Sequence, residues 1–324
     1  MKALVTGGGG YLGGAIVRAL LARGDQVICL QRGDYPWLIR AGAEVRTGDI
    51  NDIQLLLRIS SGVDAVFHVA GKTGVWGDYR DYFQTNVAGT ATVIQACLKN
   101  HVPRLIYTSS PSVIFSGRDE AGVNETAPYA QRYYNHYQQT KAMAEQKVLM
   151  ANSRNLATVA LRPHLIWGPG DPHLIGRILA RARSGRLRLV SGDNLVDTTY
   201  VDNAAAAHLL AAAALHPGSV CAGKSYFITN GEPRVLAELI NAMLAAHRLP
   251  PVTRTITPGL AYNIGALSEF VYTLFRIKQE PLMTRFVARQ LSCTHWYNIS
   301  AARHDLGYTP AVSIAEGLRR LQSA

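Results

Sequence analysis

The sequence predicts an α/β fold in which a doubly wound parallel sheet is joined to a smaller, discontinuous α+β unit. Short apolar runs rich in β-branched residues alternate with helical patterns, and the first run leads through four consecutive glycines into a helix. This alternation is typical of a parallel sheet with helices on both faces. The length of 324 residues suits one large unit and one smaller unit.

The N-terminal segment predicts a strand, a glycine turn, a helix and a second strand. These elements span residues 2–6, 7–10, 11–23 and 26–30. A turn built of glycines lets the backbone approach a pyrophosphate, whose charge the N-terminus of the helix stabilises. Gly7, Gly10 and Gly13 have the spacing of a dinucleotide-binding turn, and a pattern starting at Gly8 fits equally well.

The end of the second strand predicts the kind of dinucleotide. Sites for NAD usually place an acidic residue there to bind the ribose 2′-hydroxyl, whereas this chain has Gln31 followed by Arg32. A carboxylate would repel a 2′-phosphate, and an arginine binds one through two parallel hydrogen bonds. We therefore predict NADP(H) rather than NAD(H), although an exposed loop position would also account for Arg32.

The segments after the second strand continue the alternation of predicted strands and helices. Strands are predicted at 43–47, 64–70 and 104–108, and helices at 51–60 and 85–100. Asp49 lies where its side chain would reach an adenine, but a turn-forming role fits it as well. The strand at 64–70 ends in small residues such as Ala70, as a close approach to a cofactor requires. His68, in the same strand, either borders the cofactor or packs in the core.

Candidate catalytic residues follow the fifth predicted strand. Ser109 and Ser110 lie just beyond it, at the edge where ligands of open α/β sheets bind. A later helical segment contains Tyr137 and Lys141, and their spacing places both side chains on one face, one turn apart. Such a pair is common by chance, but in this topology it indicates acid–base chemistry.

The order of these motifs resembles that of extended short-chain dehydrogenases/reductases. The matching segments are 6–13, 86–90, 107–110, 137–141, 161–163 and 167–171. The segments at 197–203, 227–233 and 295–298 are similar to the 3β-hydroxysteroid dehydrogenase branch of that family. Within the branch, residues 31–36 and 161–171 resemble bacterial 2-alkyl-3-oxoalkanoate reductases of long-chain olefin biosynthesis.

The resemblance implies roles for individual residues. Tyr137 would protonate the substrate carbonyl as hydride arrives from the nicotinamide, and Lys141 would bind the nicotinamide ribose. Lys141 and the oxidised nicotinamide would lower the pKa of Tyr137 from about 10 towards neutrality. Ser110, rather than Ser109, would hold the substrate oxygen, and Asn86 would support the site, although helix capping explains Asn86 equally well. The expected cofactor contacts are Gly7, Gly10, Tyr11, Leu12, Gly13, Gln31, Arg32, Asp49, Ile50, His68, Ala70, Tyr137 and Lys141.

The second half of the chain predicts a discontinuous arrangement. Residues 156–161 form a sixth strand, the proline after Arg162 ends it, and a helix near Val201 packs on the first domain. We assign residues 1–165 and 195–230 to a Rossmann-type NADP-binding domain, and residues 166–194 and 231–324 to a substrate-binding domain. The candidate aromatic residues of the substrate pocket are Trp76, Tyr79, Tyr82, Trp167 and Tyr262, each of which would also suit a core position.

The composition and charge of the chain limit the classes of ligand and partner that it can bind. The formal net charge is +11, with arginines concentrated between residues 177 and 188, which favours an anionic ligand or membrane surface but also fits solvated faces. Nucleic-acid motifs are absent, and the spacing of cysteines and histidines predicts neither a metal site nor disulfides. We expect a cytoplasmic homodimer without a signal peptide, in which the amphipathic segment 259–275 contacts a membrane or a pathway enzyme.

Three functions are compatible with these patterns. The first is an NADPH-dependent reductase that interconverts a 2-alkyl-3-oxoalkanoate and a 2-alkyl-3-hydroxyalkanoate. The second is a 3β-hydroxysteroid dehydrogenase, with or without isomerase activity, although no residue stands out as the isomerase acid or base. The third is a non-catalytic NADP-sensing protein on the same fold. The presence of Ser110, Tyr137 and Lys141 together favours an enzyme.

Overall fold

The computed structural model describes residues 1–190 and 192–323. Ser191 and Ala324, which belong to the predicted substrate-binding domain, lie outside the described residues. The strands are β1 Lys2–Thr6, β2 Gln26–Gln31, β3 Glu44–Thr47, β4 Ala65–His68, β5 Arg104–Thr108, β6 Glu120–Val123, β7 Ala157–Pro163, β8 Ile166–Trp167, β9 Leu189–Val190, β10 Leu195–Val196, β11 Thr199–Tyr200, β12 Lys224–Ile228, β13 Arg234–Val235, β14 Thr255–Ile256 and β15 His295–Tyr297.

Helices alternate with these strands along the chain. They are α1 Tyr11–Ala22, α2 Pro36–Arg40, α3 Ile53–Ile59, α4 Tyr79–Tyr82, α5 Gly89–Lys99, α6 His136–Met150, α7 Leu174–Arg183, α8 Val201–Ala214, α9 Leu236–Ala246, α10 Pro258–Leu274, α11 Arg285–Ser292, α12 Ser300–Leu306 and α13 Ile314–Gln322. A π-helical segment, Phe83–Ala88, joins α4 to α5, and a short 3₁₀ helix, Pro111–Val113, follows β5.

Seven parallel strands form the main sheet, in the order β12-β7-β5-β4-β1-β2-β3. The chain runs outward from β1 through β2 to β3, then returns to the other side of β1 with β4. The order therefore reverses between β1 and β4, and in open sheets the crevice at such a reversal is where ligands bind. The turn after β1 and the segment after β4 border this crevice.

The core lies on both faces of the main sheet, because each central strand buries its side chains in both directions. On one face α8 packs along α1. Small buried residues of α8, among them Ala204, Ala207 and Ala211, allow this close approach. The prediction that a helix starting near Val201 packs on the first unit is therefore confirmed.

A smaller sheet has the order β13-β10-β15-β6. It combines strands that are far apart in sequence, including β6 and β10 from ranges that we assigned to the cofactor domain. The exact division into two domains stays a prediction. Among the described residues, no helix has the length and hydrophobicity needed to cross a bilayer.

Candidate active site

A continuous cavity of about 970 Å³ lies at the carboxyl ends of the central strands. The glycine turn after β1 lines one part of it, and helices α7, α9, α10 and α11 contribute to another. Ser110, Tyr137 and Lys141 belong to the same lining. The cavity therefore brings the predicted cofactor turn and the predicted catalytic residues together in one space.

The glycine turn has a geometry that other residues would not tolerate. Gly7 has φ +76°, and a Cβ at Gly13 would lie 2.1 Å from the carbonyl oxygen of Gly7. Gly10 is the N-cap residue of α1, and as a glycine it has no side chain to cap the first backbone N–H groups of that helix. These groups are suited to bind a phosphate. Gly7, Gly10 and Gly13 line the cavity, whereas Gly8 packs against Cys29.

The end of β2 offers polar groups for the far end of a dinucleotide. Gln31 is buried at the cavity, and neither its amide oxygen nor its amide nitrogen has a partner among the described residues. Arg32 is exposed at the same place. A buried amide without partners is costly unless a ligand satisfies it. The residues present therefore fit a ribose and its substituents.

The other predicted cofactor residues divide into those that line the cavity and one that does not. Tyr11, Leu12, Asp49, Ile50 and Ala70 line it. Asp49 also stabilises the turn that contains it, because its Oδ1 accepts a 2.9 Å hydrogen bond from the backbone N–H of Asn51.

His68 requires a correction, because it is fully buried and does not line the cavity. Its Nδ1 lies 2.7 Å from Oγ1 of Thr6, and its Nε2 lies 2.9 Å from Oγ1 of Thr90. Burial lowers the pKa of His68 to about 3, with a smaller effect of Lys141 in the same direction. His68 is thus a neutral core group that links β1, β4 and α5.

Tyr137 and Lys141 are positioned by the start of α6. The side chain of Asn135 caps this helix by accepting a 2.9 Å hydrogen bond from the N–H of Gln138. The Gln138 amide in turn donates to the backbone oxygens of Ser112 and Phe115, at 2.9 and 3.1 Å. These contacts fix the first turn of α6 against the segment that follows β5.

The two serines after β5 have different environments. Oγ of Ser110 accepts a hydrogen bond from the N–H of Ser112 and caps the 3₁₀ helix, and its side chain also reaches Tyr137. Ser109 is buried, its N–H donates to the carbonyl of Leu161, and its Oγ has no partner among the described residues. Contact with Tyr137 favours Ser110 as the serine that shares a substrate oxygen.

The pKa of Tyr137 differs from the sequence-based expectation. Burial raises the pKa of Tyr137, and the hydrogen bond with Ser110 opposes this only in part. Burial also lowers the pKa of Lys141 to about 7, so this lysine carries less positive charge near neutrality than an exposed one. A tyrosine with a raised pKa keeps its proton at neutral pH, which suits proton donation during a reduction.

Asn86 supports the site from a distance. It is buried inside the π-helical segment, which excludes the helix-capping alternative. Its Oδ1 accepts a 2.7 Å hydrogen bond from the N–H of Lys72, and its Nδ2 donates to the Lys72 carbonyl and to Oγ1 of Thr140. Asn86 therefore ties the segment after β4 to α6, next to Lys141, without lining the cavity.

The predicted pocket aromatics also require a correction, because none of them lines the cavity. Trp167 is fully buried, and its indole N–H donates to Oγ1 of Thr198 at 2.8 Å. Trp76 donates to the carbonyl of Ile277, and Tyr262 packs under the guanidinium of Arg289. Tyr79 and Tyr82 also lie outside the lining. Aromatic side chains with a polar tip are often satisfied in this way within the fold.

Aliphatic side chains and one phenylalanine form the apolar wall instead. They include Leu165, Ile178, Leu239, Ile240, Met243, Ile264, Leu282, Met283, Phe286, Val287 and Leu291. The sequence analysis missed them because aliphatic residues on separate helices carry no local signal of a common pocket. Among the polar lining residues that it also missed are His164 and His295. Across the described residues, no cluster of three His, Cys, Asp or Glu suits a metal ion.

Comparisons with known proteins show which family and which enzymes this chain resembles. Residues 4–253 match the model of the 3-beta hydroxysteroid dehydrogenase/isomerase family. The 2-alkyl-3-oxoalkanoate reductase of Stenotrophomonas maltophilia is 52% identical over 100% of this chain and 99% of its own length. The enzyme of that name from Shewanella oneidensis is 50% identical over 99% of this chain and 86% of its own. A solved structure of MoeE5 with UDP-glucose and NAD is 25% identical, with a TM-score of 0.76 over 100% of this chain and 98% of that chain.

Proposed function

The chain belongs to the 3-beta hydroxysteroid dehydrogenase/isomerase family, and we propose that it is an NADPH-dependent reductase of 2-alkyl-3-oxoalkanoates within it. The family and its relatives make the chain an oxidoreductase with a Rossmann-type fold, and the NAD-bound structural neighbour supports a nicotinamide dinucleotide as cofactor. The finer statements concern the choice of NADP, the catalytic residues and the substrate.

The observation that carries the proposal is the presence of Ser110, Tyr137 and Lys141 in the same cavity as the glycine turn. Tyr137 donates its phenolic proton to the substrate carbonyl oxygen, and Ser110 holds that oxygen in place. NADPH supplies the hydride when it is bound. Lys141, one helical turn from Tyr137, lies where it can bond a ribose hydroxyl and favour transfer of the tyrosine proton.

NADP rather than NAD is supported by the end of β2. Arg32 lines the cavity with an exposed guanidinium, and Gln31 beside it carries no charge that would repel a 2′-phosphate. The unpartnered amide of Gln31 can hydrogen-bond the ribose. A guanidinium binds phosphate through charge-assisted hydrogen bonds.

The wall of the cavity supports a bulky apolar substrate. Helices α7, α9, α10 and α11 contribute aliphatic side chains to it, and such a lining suits an apolar ligand. Reduction of a 3-oxo group flanked by an alkyl branch matches both the acid–base residues and the wall. This substrate class comes from the names of the similar reductases.

We also propose contact with an anionic membrane surface through α10, while a homodimer and a cytoplasmic location stay predictions. Leu267, Phe270 and Leu274 of this helix are 62–64% exposed, and Arg276 and Lys278 follow them. The same helix lines the substrate cavity through Ile264. An exposed apolar face beside basic residues fits an anionic bilayer, from which an apolar substrate could enter.

The direct test is a nicotinamide absorbance assay with a 2-alkyl-3-oxo acid and, in parallel, a 3β-hydroxysteroid. We expect turnover of the acid with NADPH, and a kcat/KM for NADPH well above that for NADH. Turnover of the steroid with NAD⁺, without turnover of the acid, would contradict both the substrate and the cofactor assignment. Binding of NADPH without turnover of either substrate would favour a sensing protein.

A further inference from the structure

His164 lines the cavity and is paired with Asp197, and neither residue has a part in the proton transfer described above. Nδ1 of His164 lies 2.7 Å from Oδ1 of Asp197, and the two side chains are 6% and 0% exposed. Oδ2 of Asp197 accepts a 2.9 Å hydrogen bond from the N–H of Tyr297. Both carboxylate oxygens of Asp197 are therefore engaged, and the orientation of the imidazole is fixed.

His164 follows β7, which is the neighbour of β5 in the main sheet. Thr108 pairs with Leu161, and the N–H of Ser109 donates to the carbonyl of Leu161. Ser110 and His164 thus leave adjacent parallel strands at the same edge, and both line the cavity. In a 3-oxo acid, a single carbon separates the carbonyl carbon from the carboxylate carbon. The substrate carboxylate must therefore lie close to the residues that hold the carbonyl oxygen.

The ring nitrogens of His164 have distinct roles. Nδ1 faces an aspartate carboxylate, which only accepts hydrogen bonds, so Nδ1 carries a proton. Nε2 makes no hydrogen bond to another described residue, and it is the nitrogen left for a ligand. When Nε2 is also protonated, the ring is a cation whose charge the buried Asp197 balances, and it can donate to a carboxylate.

We propose that His164, held by Asp197, binds the carboxylate of the substrate and makes the enzyme selective for 3-oxo acids over neutral ketones. The inference rests on the proposed function and adds the residue that recognises the acid group. It assigns Asp197 as a positioning residue that orients the imidazole.

Other groups that line the cavity are less suited to this role. His295 packs edge-on to His164, with ring centroids 4.9 Å apart, and burial lowers the pKa of His295 to about 3, which leaves it uncharged. Arg177 is paired with Glu280, and Arg181 donates to the carbonyl of Leu282. Both arginines belong to α7, and both are therefore already engaged with the segment that precedes α11. Arg188 also lines the cavity, and it donates to the backbone carbonyls of Gly185 and Leu187. Arg186 is exposed at the same lining and is the alternative carboxylate-binding residue that the test includes.

The test compares a 2-alkyl-3-oxo acid with its methyl ester, for the unsubstituted enzyme and for His164→Gln. We expect the substitution to lower kcat/KM for the acid by about tenfold to a hundredfold, as loss of a charge-assisted hydrogen bond predicts. The value for the ester should change by less than about threefold, and NADPH affinity should be retained. Asp197→Asn should shift the acid-to-ester ratio in the same direction, which provides a second variant if His164→Gln folds poorly.

Arg186→Gln is the matched control, and it should leave the acid-to-ester ratio unchanged. Equal losses for acid and ester in both His164→Gln and Asp197→Asn would overturn the inference, since they would indicate a structural role. A ratio that responds to Arg186→Gln alone would overturn it as well. Failure of the unsubstituted enzyme to reduce the acid would instead overturn the proposed function, and with it this inference.

Discussion

The Lys141 ammonium donates a 2.5 Å hydrogen bond to the carbonyl oxygen of Thr108, the last residue of β5. Nζ also lies 4.3 Å from the centre of the Tyr107 ring. These contacts join α6 to the strand that precedes Ser109 and Ser110. They satisfy only part of the donor capacity of the ammonium, and burial lowers the pKa of Lys141 to about 7. The burial of Lys141 in the candidate site therefore lowers the free energy of unfolding of the protein.

The first prediction concerns that cost. Between about pH 7 and its ordinary pKa of 10.5, Lys141 is protonated in the unfolded chain and neutral in the folded one, so stability rises with pH across this window. Lys141→Met removes the desolvation penalty but leaves the Thr108 carbonyl unpaired. We expect it to stabilise the cofactor-free protein by roughly 2–4 kcal/mol at pH 6, with turnover lost.

Thermal and urea unfolding of both proteins at pH 6, 7.5 and 9 would measure this effect. The advantage of the methionine variant should be largest at pH 6 and should shrink towards pH 9, because the wild-type lysine then folds without a charge. A stability difference that does not vary with pH would show that Lys141 is not buried as an ammonium at low pH.

The second prediction concerns Tyr137. Tyr137→Phe removes the proton donor and leaves the packing of the ring intact. We expect kcat to fall by about a hundredfold to ten-thousandfold, the usual contribution of general acid catalysis, while NADPH still binds. Steady-state kinetics and a direct NADPH titration would measure the two effects separately.

Ser109→Ala and Ser110→Ala test the choice between the two serines, because Ser109 also lines the cavity but its hydroxyl has no polar contact among the described residues. Ser109→Ala should keep most of the activity, whereas Ser110→Ala should lose much of it. A larger loss for Ser109→Ala than for Ser110→Ala would reverse the assignment of the two serines.

The third prediction concerns cofactor choice. Arg32→Glu replaces a cation that would bind the 2′-phosphate with an anion that would repel it. We expect the ratio of kcat/KM for NADPH over NADH to fall by at least about a hundredfold, as loss of a charge-assisted contact together with the new repulsion implies. Arg40→Glu, an exposed change in α2 that does not line the cavity, controls for net charge. An unchanged ratio in Arg32→Glu would remove Arg32 from the cofactor site.

Local patterns were enough to predict strands β1 to β5, whereas β6 and the short helices α2 and α4 were missed. Strand β1, the glycine turn and helix α1 follow each other directly in sequence. The apolar run at residues 2–6 and the helix stop at Gly24 therefore predicted the ends of β1 and α1 to within one residue. The Tyr137 and Lys141 pair was also predictable, because both side chains belong to one helix. In each case the information lies within a few residues of chain.

The substrate end of the cavity could not be predicted in the same way. Its wall is assembled from four helices, and tertiary packing alone determines which of their apolar residues face the cavity. Trp167 has the size and polarity of a pocket residue, but Thr198 satisfies its indole inside the core. His164 and Asp197 are 33 residues apart, and no periodicity in the sequence connects them. The domain division depends on the same long-range packing and stays a prediction.

The last prediction concerns the exposed face of α10. One side of this helix is packed so closely that a Cβ at Gly265 would meet the backbone of Thr284 at 2.6 Å, while Leu267 and Phe270 on the other side are each 64% exposed. Sedimentation with anionic vesicles should capture the wild-type protein and should capture Leu267→Glu/Phe270→Glu much less, because the glutamates remove apolar contact and add repulsion. Met150→Glu changes an apolar position in α6 that is 80% exposed, and this variant should bind like wild type. The membrane proposal is wrong if wild type does not bind the vesicles. If, in addition, the double variant has a smaller sedimentation coefficient than wild type, the exposed face of α10 joins two copies of the chain.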